Sequence, residues 1–131
     1  MHRLGVCMVD GLFIDTLDSI TIYTFTNSSE AAIDAWGDEF TATIESLPSG
    51  EMFHVLMDVS APQVSFSRAA RQKSQELFSR YRERKGRLAF LFSSKTAPHY
   101  ARIFFASLGR LQFELQFFSN RDKAINWLRH L

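Results

Sequence analysis

The chain has 131 residues, which fits one domain and is long enough to bury a sizeable core. Hydrophobic residues make up 46% and charged residues 22%, the balance of a globular protein, and a net charge of +1 gives no bulk attraction for nucleic acid or another polyanion. No apolar run approaches the about 20 residues of a membrane-spanning helix, and the opening MHRLGVCMVDG is broken too early by Asp10 and Gly11 for a signal peptide, so a cytoplasmic protein without a transmembrane segment is expected.

Residues 4–9, LGVCMV, predict a short strand stopped by Asp10-Gly11, a strong hairpin dipeptide, with Leu12 to Asp15 as its partner. Cys7, the lone cysteine, excludes an intrachain disulfide and is expected to be a small buried hydrophobe. After a turn at Asp18-Ser19, residues 20–26 form a third strand, with Ile20 and Ile22 on one face and Tyr23 and Phe25 on the other. Large residues on both faces predict something packed on each side of the sheet.

Asn27, Ser28 and Ser29 offer caps for a first helix reaching about Ser46, with Ile33, Trp36, Phe40, Ile44 and Leu47 in one apolar stripe. Gly37 inside it predicts close packing against a neighbour. A buried central strand, FHVLMDVS (53–60), leads through APQVSFS into a second helix from about Ser67 to Tyr81, with Gly86 as its stop. RLAFLF (87–92) is the next strand, a third helix spans 98–108, and FELQFF (113–118) is the last strand. Ser119 or Asn120 caps a final helix with Ala124, Trp127, Leu128 and Leu131 inward. Alternating strands and helices predict an α/β domain: a single small, mixed, mostly parallel sheet of four to six strands with four helices packed against it. The 13 Phe residues predict a core of large flat rings.

Three stretches carry a resemblance to a known family: the apolar strand ending in Asp58 with its turn into the second helix, the basic helix end followed by RLAFLF, and the closing FFSNRDKAINWLRHL with Phe118, Ala124, Trp127 and Leu128. Together they resemble the SpoIIAA-like family of the STAS (sulphate transporter and anti-sigma factor antagonist) superfamily. The resemblance implies a non-enzymatic regulatory module that contacts a protein partner. In some relatives, phosphorylation switches a serine at the start of the second helix, within an Asp-Ser-Ser-Gly-like turn. Here that region reads VSFSRAA, which places Ser65 and Ser67 near the position without the preceding acid or the following glycine.

Ligands of open α/β sheets sit beyond the carboxyl ends of the parallel strands. The polar residues expected there, Asp58, Ser60, Ser93, Ser94, Lys95, Ser119 and Asn120, form a candidate anion or ligand edge. Caps and turns account for the same residue types and are the plainer explanation. No catalytic set, metal-ligand spacing or cofactor motif emerges from His2, His54, His99 and His130, or from the glycines. The basic stretch RYRERKGR (80–87) reads as a solvated face, with Lys73, Arg80 and Arg84 on one flank of the apolar arc and Arg68, Arg71 and Arg82 on the other. In the third helix, Tyr100, Ile103, Phe104, Phe105 and Leu108 cover over half the circumference. They predict either a homodimer through helix 98–108 or an apolar pocket beneath it. The expected function is a protein-interaction module, with a small apolar or anionic ligand-binding module as the alternative.

Overall fold

The computed structural model describes residues 6–93 and 97–129. Its order is β1 (Val6–Val9), β2 (Leu12–Leu17), β3 (Ile20–Phe25), α1 (Glu30–Glu45), β4 (Phe53–Asp58), α2 (Arg68–Arg80), β5 (Gly86–Leu91), α3 (Ala97–Ser107), β6 (Glu114–Phe118) and α4 (Arg121–Arg129). The six strands make one sheet in sequence order. The first two pairs are antiparallel hairpins and the next three are parallel. Strand order that never reverses sends each right-handed crossover to the same side. Accordingly α1, α2 and α3 share one face, and α4, which follows the last strand, covers the other.

Local chemistry explains the element ends. Gly11 turns the first hairpin at φ +100°, and Asp18 turns the second at φ 57°, a left-handed geometry that aspartate tolerates. Ser29 and Ser67 are extended N-caps whose hydroxyls accept from Ala32 N–H and Ala70 N–H. The stop predicted at Gly86 has a different cause. The glycine opens β5, and a Cβ there would lie 2.6 Å from the carbonyl oxygen of Phe53 on the paired strand, too close for any side chain. Gly37 is kept for packing as expected, since a Cβ would sit 2.9 Å from the Lys73 stem on α2.

The larger core is aromatic. Phe40 on α1 packs against Tyr23, Trp36, Phe53, Phe78 and Tyr81, and Phe78 on α2 carries the contact on to Phe90, Phe105 and Phe113. Most of these pairs are tilted or edge-to-face, the arrangement the ring quadrupole favours. The smaller core joins Ile20, Ile22, Leu56 and Ala89 to Ala124, Ile125 and Leu128 of α4. Trp127 is half-buried at its margin, while Leu131 lies outside the described residues.

Cys7 contradicts the expectation of burial. It is exposed, on the edge strand β1. Among the described residues no helix is long and apolar enough to cross a membrane.

Candidate functional site

Among the described residues, those at the strand ends do not converge on one site. Side chains alternate along β4, so Asp58 shares the α4 face with Leu56. Its buried carboxylate accepts from Ser60 N–H at 3.1 Å, Ser60 Oγ at 2.6 Å and Arg121 at 3.2 Å. That cluster is internally balanced: the first residue of α4 neutralises the last residue of β4. Asn120 caps α4 by accepting from Lys123 N–H, and Ser119 is exposed. Ser94 and Lys95 lie outside the described residues.

On the opposite face the structure forms a cavity of about 730 Å³. It lies at the carboxyl ends of β3, β4 and β5, where Phe25, Met57 and Phe90 form the floor. Trp36 of α1, Ala70 and Ser74 of α2, and Ala101, Phe104 and Phe105 of α3 form the walls. The loop over 61–66 closes one side through an edge-to-face contact of Phe66 with Phe104, centroids 5.0 Å apart. The exposed lining residues Pro62, Ser65, Arg71, Ser93, Tyr100 and Ile103 mark the mouth. A concave, mostly apolar space with a few polar groups has the chemistry of a small-molecule pocket.

Of the candidate residues, Ser65 and Ser93 line this cavity, and Ser67 stands beside it as the α2 cap. Ser65 is fixed through its backbone. Ser28 Oγ accepts from Ser65 N–H at 2.7 Å and donates to Ser65 C=O at 3.0 Å, which ties the 61–66 loop to the segment before α1. Arg71, Ser74, Ser28 and Trp36 are lining residues that sequence reasoning missed. The helical spacing of Arg71 and Ser74 on the flank of α2 was the one signal available.

The basic stretch is largely engaged within the protein. Arg80 pairs with Glu76 at 2.8 Å, Arg82 donates to Ser79 C=O, and Arg84 donates to Ile44 C=O, capping α1. Arg87 pairs with Glu114 and lies over Trp127, 5.0 Å from the ring centroid. Beside Arg87 in register, His54 is held below the usual histidine pKa, first by burial and then by that guanidinium. His99 is exposed, and His2 and His130 lie outside the described residues. Tyr23 donates to or accepts from Thr43 Oγ1 at 2.6 Å, and burial pushes its phenol up to about 12.

No family model and no curated protein matches the chain. Among solved structures it is similar to an uncharacterized protein of the DUF3478 family from Shewanella loihica PV-4, described as having a SpoIIAA-like fold. The TM-score is 0.65 at 14% identity, over 89% of this chain and 91% of that one. The six-stranded mixed sheet, its four helices and this likeness agree: the chain has a SpoIIAA-like fold.

Proposed function

We propose that this protein is a non-enzymatic binding module that holds a small, largely apolar ligand between α2, α3 and the ends of the parallel strands. The observation that carries this reading is the 730 Å³ cavity, whose floor and walls are almost wholly apolar side chains. Its position agrees with the rule that open α/β sheets take ligands beyond the carboxyl ends of their strands.

The test is direct. Trp36 lines the cavity and Trp127, the second of two tryptophans, packs on the α4 face. In a Trp127→Phe background, an apolar probe such as decanol should change Trp36 fluorescence saturably and raise Tm. Ala70→Phe, which fills the cavity from α2, should abolish both effects. A flat response across alcohols, sterols and aromatic probes would remove the reading.

A second reading is favoured by one observation. Tyr100 and Ile103 of α3 remain 71% and 60% exposed, an apolar pair suited to a protein contact or a homodimer. Sedimentation at rising concentration tests the dimer. A mass that stays at one chain, in the wild type and in Ile103→Ser alike, would remove it.

A further inference from the structure

The cavity is mostly apolar, and its few polar groups are unevenly placed. No acidic residue lines it, and Arg71 is its single charged liner among the described residues. Arg71 lies at the mouth, where one guanidinium nitrogen donates to Phe66 C=O at 2.9 Å. That bond holds the group over the loop that closes the cavity and leaves further N–H donors available. No carboxylate pairs with it among the described residues, so within the cavity mouth its charge has no acidic counterpart. One helical turn deeper, Ser74 lines the same wall. It is only 6% exposed, and its hydroxyl makes no hydrogen bond among the described residues. Residues three apart on a helix face the same way. A cation at the rim and an unused hydroxyl below it on the α2 wall, facing aromatic rings on α1, α3 and the floor, form a polar-to-apolar gradient from the mouth inward.

From this gradient we infer that the ligand is an amphipathic anion: one negatively charged head, a carboxylate or a phosphate, held by Arg71 and Ser74, with an apolar body among Trp36, Phe90 and Phe105. The inference rests on the cavity being a ligand site and adds the chemical class of the ligand. A planar guanidinium matches either oxyanion head, and charge-assisted bonds of this kind outweigh neutral ones. The apolar body contributes affinity in proportion to the surface it buries.

Three probes of equal chain length separate the possibilities: decanol, decanoate and decyl phosphate, each titrated below its micelle concentration against Trp36 fluorescence in the Trp127→Phe background. Decanoate or decyl phosphate should bind at least about fivefold tighter than decanol at low salt, and the gap should shrink as salt is added. Whichever anion binds tighter identifies the source as a fatty acid or a phosphorylated lipid. Arg71→Gln should close the gap, bringing both anions to the decanol affinity measured in the same variant, and Arg71→Lys should keep part of it. Equal affinities in the wild type, or a gap that survives Arg71→Gln, would overturn the anionic head and leave the cavity reading standing. Loss of decanol along with the anions in Arg71→Gln would make Arg71 a strut for Phe66 and would also overturn the assignment. Failure of all three probes in the wild type would end both proposals.

Discussion

His54 shows how one buried nitrogen links sequence to stability. Its Nε2 is buried without a partner among the described residues, and both burial and Arg87 disfavour its protonated form. The folded pKa is therefore below the unfolded value of about 6.5. As pH falls through that value the unfolded chain takes up the proton first, so stability is full above it and declines towards the folded pKa. Between about pH 7.5 and pH 5, the wild type should lose Tm more steeply than His54→Gln, as read by thermal unfolding; parallel curves would refute the assignment. The short apolar run FHVLMD places His54 in a strand, but the neighbour that lowers its pKa after burial, Arg87, comes from a strand 33 positions later and is visible only in register. Gly86 has the same character. Its lack of a side chain reads as a helix stop in the sequence, while the reason for it is the Phe53 carbonyl. Because that contact is with backbone, Gly86→Ala should cost about 1–3 kcal/mol by denaturant unfolding.

At the scale of elements, the segment from Ser65 to Arg80 ties structure to the candidate switch. Ser67 is the N-cap of α2, so its hydroxyl already serves Ala70 N–H. Ser67→Ala should therefore lose about 1 kcal/mol, while Ser67→Asp should retain the cap and the stability. Ser65 is anchored by backbone atoms alone, so Ser65→Ala should be nearly neutral in the same unfolding assay. These differences matter for any phosphorylation assay. A lost signal in Ser67→Ala alone could reflect a frayed helix, whereas loss in the stable Ser67→Asp identifies an acceptor. Caps and apolar stripes were legible in the sequence because they depend on residues within one or two turns. The strand-end edge was legible only in part, because Asp58 and Ser60 are separated from Ser65 and Ser93 by the thickness of the sheet.

At the scale of the molecule, the mixed, mostly parallel sheet and its two covered faces follow from alternation and from the large residues on both faces of β3, while the strand order is visible only in the structure. The cavity was legible only as one of two alternatives drawn from the excess apolar surface of helix 98–108, because its shape depends on how far three helices stand from one sheet. The same architecture predicts that stability and binding separate. Leu128 belongs to the α4 core, 1% exposed, and the sheet lies between it and the cavity. Leu128→Ala should lower stability by about 2–5 kcal/mol, yet leave decanol affinity within about twofold when measured well below Tm, since distant sites act additively. Ala70→Phe should do the converse, removing binding while leaving Tm within a few degrees. A large loss of affinity in folded Leu128→Ala would mean that the α4 core sets the shape of the cavity through the sheet, and that the two faces form one cooperative unit.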